Sequence, residues 1–114
     1  MDLNISIRRK EKYAIVEITG EIDLYNVKQL KEQVAQEMED NDQHHLIMDL
    51  GKVKYIDSTG LGIIIGIKRR CVESNGELAL VFDSQRITTL FTITGLHNVF
   101  TIYKTMEEAE AKFR

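Results

Sequence analysis

Residues 46–67 read LIMDLGKVKYIDSTGLGIIIGI, and the fold can be derived outward from this segment. It opens with the apolar run 46–50, which has the length and composition of a buried strand. The turn-like pair Gly51-Lys52 follows, and the chain continues to Asp57. From there the pattern predicts a helix that ends near Asn75-Gly76. A strand followed by a helix is the repeating unit of α/β proteins.

The same alternation continues on both sides of this stretch. Residues 3–7 alternate apolar and polar side chains, and residues 10–12 separate them from a second apolar run, so a hairpin is predicted. Helical stripes, apolar runs and capping positions mark the rest of the chain. The other predicted elements are a strand at 13–18, a helix carrying Val27, Leu30, Val34 and Met38 that ends at 40–42, a strand at 78–82, a helix capped at Asp83-Ser84 that carries Ile87, Leu90 and Phe91 and closes at Gly95, a strand at 99–103, and a final helix capped by Thr105 with Glu108.

The predicted fold class is therefore α/β, with the order ββαβαβαβα in one domain of residues 1–114. Strands that alternate with helices pair in parallel, and the hairpin makes the first strand antiparallel, so the sheet is mixed and mostly parallel. The loops after the parallel strands emerge at one edge, where α/β proteins tend to place their sites. This topology predicts that three pairs converge there, namely Glu21 with Asp23, Asp57 with Ser58, and Asp83 with Ser84.

The composition narrows the possible function classes. The chain has 114 residues, 43% hydrophobic and 29% charged, with no apolar run long enough to cross a membrane. Its net charge of −3 argues against a nucleic-acid-binding surface, which is usually positively charged. The first residues lack the basic and apolar blocks of a secretory signal, and the single cysteine, Cys71, fits a reducing compartment. We therefore expect a cytoplasmic protein without direct contact to nucleic acid or membrane.

Ser58 lies where the central helix begins. A serine oxygen there can accept a hydrogen bond from an unpaired N–H group of the first turn, which would make Ser58 a helix cap. Alternatively, an exposed hydroxyl at this position suits a phosphate, because the helix dipole and the free N–H groups stabilise an anion. Asp57 could equally be the cap and leave the Ser58 hydroxyl turned outward. A phosphate on this edge would change what docks on it without unfolding the helix.

The central helix carries more apolar surface than one buried face requires. Its apolar side chains spread over an arc of about 200°, whereas a buried stripe needs about 100°. Gly62 and Gly66 occupy the remaining face, where each lowers helix stability by about 1 kcal/mol relative to alanine. Such glycines permit close approach by a neighbouring element or by a partner, and the next helix, with Leu90 and Phe91, could cover part of the arc. The arc consists of Leu61, Ile63, Ile64, Ile65, Ile67, Val72 and Cys71, the last interpreted as a small core residue.

Three segments resemble one known family. The strongest is 48–62, MDLGKVKYIDSTGLG, and it is supported by Gly20-Glu21-Ile22-Asp23 and by Thr94-Gly95-Leu96 ahead of the last strand. Together these segments span nearly the whole chain and resemble the STAS domain of the bacterial anti-sigma factor antagonists. The fold of that family agrees with the order ββαβαβαβα.

The resemblance implies a partner-switching regulator. An unphosphorylated antagonist of this kind binds an anti-sigma factor that is also a serine kinase, and so frees the sigma factor. Phosphorylation by that kinase reverses the binding, and a serine phosphatase resets it. The family's phosphoacceptor is the hydroxyl residue after the motif aspartate, which is Ser58 here, and Thr59 beside it is a second hydroxyl that the sequence leaves open. The implied partner-binding residues are Asp23, Asp57, Ser58, Thr59, Gly60, Leu61 and Gly62.

Two other interpretations compete with the switched antagonist. Some STAS domains lack the switch and serve as scaffolds or as transporter-associated subunits, but Ser58, the intact motif and the absence of an attached domain favour the switched class. A small nucleotide-binding module is the other alternative. Gly60, Gly62 and Gly66 approximate a dinucleotide fingerprint, but their spacing has one residue too many.

An enzyme is not expected. A serine nucleophile at Ser58 would need a base, and the candidates are His44, His45 and His97. All three precede predicted strands and should lie at the opposite edge of the sheet, beyond hydrogen-bond reach. No P-loop and no metal-ligand spacing occurs in the sequence, so we expect neither a cofactor nor a metal.

Overall fold

The computed structural model describes residues 2–114, so Met1, which the predicted domain includes, lies outside the described residues. The order of elements is ββαβαβαβα, as the sequence predicts. The elements are β1 (Leu3–Arg9), β2 (Ala14–Ile22), α1 (Val27–Asp40), β3 (His45–Ile56), α2 (Ser58–Glu73), β4 (Glu77–Val81), α3 (Gln85–Ile93), β5 (Thr101–Tyr103) and α4 (Met106–Phe113), with a short 3₁₀ helix at Leu96–Asn98.

The strands form one mixed sheet in the order β1-β2-β3-β4-β5. The hairpin makes β1 antiparallel to β2, and β2 to β5 pair in parallel. A hydrogen bond of 2.8 Å from the Lys10 amide to the Tyr13 carbonyl closes the hairpin. Both predictions, the mostly parallel sheet and the antiparallel first strand, are confirmed.

Alternating side chains of the strands divide the core into two layers. Even-numbered residues of β2, such as Val16 and Ile18, face α1, α2 and α3, whereas Ile15 faces α4. Phe91 of α3 lies fully buried between two other phenylalanines, Phe82 and Phe100, with ring centroids 4.9 and 5.8 Å away. Full burial of such a side chain contributes about 1.5–3 kcal/mol to stability. The three-helix layer therefore holds the larger core, and its helices α1 and α2 start at the edge that carries Ser58.

Strand β3 is longer than the sequence predicts. Gly51-Lys52 does not form a turn, because both residues lie within a continuous strand that ends at Ile56. The pairs Glu17–Asp49 and Thr19–Lys52 show that two steps along β2 oppose three steps along β3, and a second register shift follows immediately. Such β-bulges insert residues into a strand without ending it. The two bulges take up the extra residues of β3, so that β2 and β3 end level at the pair Ile22–Ile56 before α2 begins.

This extension changes the predicted meeting of three loops. Glu21 lies inside β2 rather than after it, because β2 also continues further than predicted. On the other side, the last residue of β4, Val81, pairs with Asp49, so the final part of β3 extends past β4. Ser84 consequently lines a cleft with residues 51–54 of β3. The loop with Asp83 and Ser84 thus adjoins the middle of β3, which corrects the predicted convergence with Ser58.

Helix α1 covers one flank of the wide apolar arc on α2. Ile63 and Ile67 of α2 line a groove of about 200 Å³ with Val34 and Met38 of α1. Something besides the sheet therefore does cover the arc, and on this flank it is α1. Val72 was predicted to belong to the arc, but it is 54% exposed, whereas the adjacent Cys71 is fully buried.

Cys71 is a core residue, as predicted. Its side chain is fully buried on α2, and burial raises the pKa of the thiol to about 11. The thiol is therefore protonated at neutral pH, and a protonated thiol is a poor nucleophile.

The last elements follow the predicted capping pattern with one shorter strand. Gly95 ends the α3 region with a φ of 74°, in the left-handed region that favours glycine. The 3₁₀ helix then delays β5, so the strand starts at Thr101 instead of at Val99. Thr105 caps α4 by accepting a hydrogen bond of 3.2 Å from the Glu108 amide. Among residues 2–114, none of the helices has the length and apolar character needed to span a membrane.

Candidate functional site

Asp57 is the N-cap of α2 and links two loops at the edge of the sheet. Its Oδ1 accepts a hydrogen bond of 2.9 Å from the Gly60 amide, the bond that defines an N-cap. Its Oδ2 accepts a second bond, of 3.0 Å, from the amide of Leu24 in the loop between β2 and α1. One carboxylate therefore caps the helix and holds the neighbouring loop. Of the two caps that the sequence allowed, Asp57 is correct and Ser58 is wrong.

Ser58 is consequently the first residue of α2, and it is exposed. Thr59, the neighbouring hydroxyl residue, is partly buried. The amides of Gly60 and Leu61 already bond to Asp57, through its carboxylate and its carbonyl oxygen. The positive end of the helix dipole lies at this end, where it favours a negative group. The Ser58 hydroxyl therefore has the accessibility and the electrostatic setting that a phosphate acceptor needs.

Asp23 does not present its carboxylate on the surface. It is only 6% exposed, and its Oδ1 accepts hydrogen bonds from the amides of Tyr25, at 2.9 Å, and Asn26, at 3.2 Å. Asn26 returns a bond, because its Oδ1 accepts from the Asp23 amide at 2.9 Å. The second Asp23 oxygen, Oδ2, is buried without a partner among residues 2–114. Asp23 thus shapes the loop beside Ser58, and it adds little to an acidic surface.

Two large apolar side chains of this loop are exposed, and the sequence pattern did not predict them as part of the site. Leu24 is 64% exposed and Tyr25 is 90% exposed, although they follow the buried end of β2 directly. The available signal was their position between Asp23 and Asn26, two residue types that cap and turn the chain. The sequence places this pair ahead of the helical stripe that starts at Val27, but its exposure follows only from the structure.

The three glycines of α2 differ in their surroundings. A Cβ at Gly60 would lie 2.8 Å from Cγ2 of both Ile22 and Ile56, so only glycine fits there without displacement. A Cβ at Gly62 or Gly66 would meet no atom within 4 Å outside the adjacent helix backbone, as far as residues 2–114 are concerned. Close approach by a neighbouring element therefore does not explain Gly62 and Gly66. Of the two predicted explanations, approach by a partner is the one left open.

The histidines lie far from Ser58, as predicted. His45 is the first residue of β3, and Ser58 follows directly after the last, so the length of the strand separates them. His97 lies in the 3₁₀ helix that precedes β5. Residues 2–114 contain no group of three or more histidine, cysteine or acidic side chains placed to hold a metal ion.

Asp57 provides a direct test of this geometry. Replacing Asp57 with alanine is expected to lower the free energy of unfolding by about 1–2 kcal/mol, because the amides of Gly60 and Leu24 lose their acceptor. Asp57→Asn keeps one oxygen for Gly60 but turns an NH₂ group toward Leu24, so we expect a smaller loss. Urea unfolding followed by circular dichroism measures both changes. Equal stability of Asp57→Ala and the wild type would contradict the double role of this carboxylate.

Comparison with known proteins identifies the family. A sequence model of the STAS domain matches residues 4–109. The chain belongs to the STAS domain family. The relatives of this STAS domain include the anti-sigma-B factor antagonist of Staphylococcus aureus strain NCTC 8325, which is 35% identical over 102 residues. That match covers 90% of this chain and 94% of the relative.

Solved structures share the STAS fold described above. An anti-sigma factor antagonist from Mycobacterium paratuberculosis superposes with a TM-score of 0.89 at 22% identity and covers 99% of this chain and 95% of its own. The Bacillus cell fate determinant SpoIIAA in its phosphorylated form superposes with a TM-score of 0.76 at 20% identity, over 97% of this chain and 100% of its own. At these identities the likeness establishes the fold of the STAS domain.

Proposed function

We propose that this STAS domain is an anti-sigma factor antagonist, and that phosphorylation of Ser58 switches it off. The observation that carries the proposal is the exposed Ser58 hydroxyl at the start of α2, left free because Asp57 provides the cap. The Staphylococcus aureus relative, which is 35% identical to this chain, is an anti-sigma-B factor antagonist and supports the same function. In its unphosphorylated form the protein binds the anti-sigma factor and releases the sigma factor.

The partner in this proposal is an anti-sigma factor with serine kinase activity. The kinase transfers the terminal phosphoryl group of its nucleotide to Oγ of Ser58, and the hydroxyl loses its proton. Ser58 is therefore a substrate group, and the nucleotide and the catalytic groups belong to the kinase. A separate serine phosphatase removes the phosphate. Because sigma factors act on transcription, we place the protein in the cytoplasm.

The exposure of the motif residues divides their roles in the proposed interface. Ser58 and Gly62 are exposed on consecutive turns of α2, and Thr59 is partly exposed, so these positions can contact the partner directly. The predicted contacts Asp23, Gly60 and Leu61 are buried and support the surface from below. Asp57 contributes mainly by holding α2 and the Leu24 loop together.

A phosphate on Ser58 would change the interface without unfolding the helix. It adds a charge of about −1.5 to −2, and the helix dipole stabilises that charge in the free protein. A bound partner would have to cover the phosphate, which loses its hydration unless the partner supplies matching positive groups. The Asp57 carboxylate next to it adds to the negative charge. The phosphorylated form therefore favours the free state.

Intact mass measurement tests the acceptor. After incubation with the kinase-type anti-sigma factor and ATP, the wild type is expected to gain the mass of a single phosphoryl group, and Ser58→Ala is expected to gain none. Thr59→Ala, which removes the neighbouring hydroxyl, is the matched control and should still gain the mass of a single phosphoryl group. Phosphorylation of Ser58→Ala to the wild-type extent would overturn the assignment.

A further inference from the structure

The loop between β2 and α1 presents two adjacent exposed apolar side chains. Leu24 and Tyr25, 64% and 90% exposed, are here called the loop anchor. Of the other large exposed apolar residues, Val72 and Val99 stand singly in the sequence, whereas Tyr55 and Ile93 line one cleft between β3 and α3. Single exposed apolar residues are normal on a protein surface, whereas contiguous apolar area marks interaction sites. The loop anchor is therefore a surface that indicates a binding partner, and the bond from the Leu24 amide to Asp57 distinguishes it by placing it beside Ser58.

Hydrogen bonds hold the backbone of the loop anchor in one conformation. The amide of Leu24 bonds to Oδ2 of Asp57 at 3.0 Å, and the amide of Tyr25 bonds to Oδ1 of Asp23 at 2.9 Å. Asn26 donates from its side chain to the Glu21 carbonyl at 2.8 Å, which fixes the far side of the loop. A loop whose donors are satisfied in this way loses little conformational entropy on binding. The two apolar side chains are presented on a preorganised backbone.

We infer that the loop anchor is the hydrophobic anchor of the interface with the anti-sigma factor. The inference rests on the proposed function, and it adds the residues that supply the affinity. The hydrogen bond from the Leu24 amide to Asp57 places the anchor next to Ser58, since Asp57 directly precedes Ser58 in the chain. A kinase that reaches Oγ of Ser58 must cover this part of the surface, so the same partner meets the anchor.

The chemistry of the anchor defines what the partner must offer. Tyrosine is enriched at interface positions that dominate affinity, because it buries a large rigid ring while its hydroxyl stays hydrated at the rim. The complementary surface is therefore an apolar pocket with a polar edge, close to the kinase groups that act on Ser58. Affinity and switching are then supplied by different residues, with Tyr25 and Leu24 providing apolar contact and Ser58 providing the change of charge.

Calorimetric titration with the purified anti-sigma factor, using the full chain, tests the anchor. Tyr25→Ala is expected to weaken binding roughly 10- to 30-fold, as replacement of a dominant interface residue does, and Leu24→Ala several-fold. Tyr25→Phe keeps the ring and should bind like the wild type. Val72→Ala is the matched control, since it shortens an exposed apolar residue near the far end of α2, roughly 21 Å from Ser58 along the helix. Circular dichroism and thermal melting check that every variant is folded.

The outcomes separate the anchor from the proposed function. If folded Tyr25→Ala and Leu24→Ala both bind like the wild type while Ser58→Asp loses binding, the anchor is overturned and the switched antagonist stands. If the wild type binds no anti-sigma factor and Ser58 receives no phosphate, the proposed function fails, and the anchor fails with it. An equal loss of affinity in Val72→Ala and Tyr25→Ala would also overturn the anchor, because the effect would then not depend on a contact of the partner with this loop.

Discussion

Ser58→Asp is expected to weaken binding to the anti-sigma factor about 100-fold, which corresponds to about 3 kcal/mol, while leaving the fold intact. Covering an unpaired charge at an interface is expensive, because the carboxylate loses its hydration without gaining a partner. In the free protein the same charge lies at the start of α2, where the helix dipole contributes about 0.3–1 kcal/mol in its favour. This contribution offsets repulsion from Asp57, so melting should change little.

A neutral variant of similar size isolates the effect of charge. Ser58→Asn enlarges the side chain as much as aspartate does but adds no charge, so it should retain most of the affinity. Binding measured side by side for Ser58→Asp and Ser58→Asn, with circular dichroism on both, decides the cause. An equal loss in both variants would show that Ser58 acts through size. Unchanged binding of Ser58→Asp would show that Ser58 does not lie in the interface.

The charge around Ser58 differs from what the sequence suggests. A sequence pattern shows that Asp23, Asp57 and Asp83 follow strands, but it does not show whether a carboxylate points outward. Asp23 is buried within its loop, and the loop with Asp83 adjoins the middle of β3 through Ser84. Among the three, Asp57 is the carboxylate directly beside Ser58. The proposed switch would therefore depend on the phosphate itself more than on a pre-existing acidic edge.

The order of elements was predictable because it rests on local periodicity. Alternation at residues 3–7, helical stripes and capping residues each depend on near neighbours in the chain, and the structure confirms them. The bulges of β3 were not predictable, because Gly51-Lys52 has the composition of a turn and only pairing with β2 keeps it extended. The position of the Asp83 loop follows from the length of β3, which continues past the pair Asp49–Val81 where β4 ends.

The local geometry of the candidate site was predictable only in part. The motif located Asp57 and Ser58, but the choice between two caps depended on where Leu24 lies, and Leu24 is distant in sequence. The exposure of Tyr25 also depends on the conformation of this loop, which the bonds from the Leu24 amide to Asp57 and from the Tyr25 amide to Asp23 hold in place. Roles set by contacts between distant segments need the structure.

Gly60→Ala is expected to lower the free energy of unfolding by about 1–3 kcal/mol, the cost of overpacking a filled core. The added Cβ would lie 2.8 Å from Cγ2 of Ile22 and of Ile56 and 3.3 Å from the Ile22 carbonyl oxygen. The isoleucine side chains are buried and branched at Cβ, so they cannot turn away without disturbing the sheet. Urea unfolding measures the loss. The displaced helix start should also slow phosphorylation of Ser58.

Gly62→Ala is the matched control for Gly60→Ala, because it makes the same change two residues later on α2 in open space. There the alanine should raise the free energy of unfolding by about 1 kcal/mol through helix propensity alone. If a partner packs closely on this face, the same alanine should weaken binding, so stability and affinity would change in opposite directions. A stabilised variant that binds like the wild type would show that Gly62 serves neither the fold nor the interface. Equal stability of Gly60→Ala and Gly62→Ala would contradict the tight fit of Gly60 against Ile22 and Ile56.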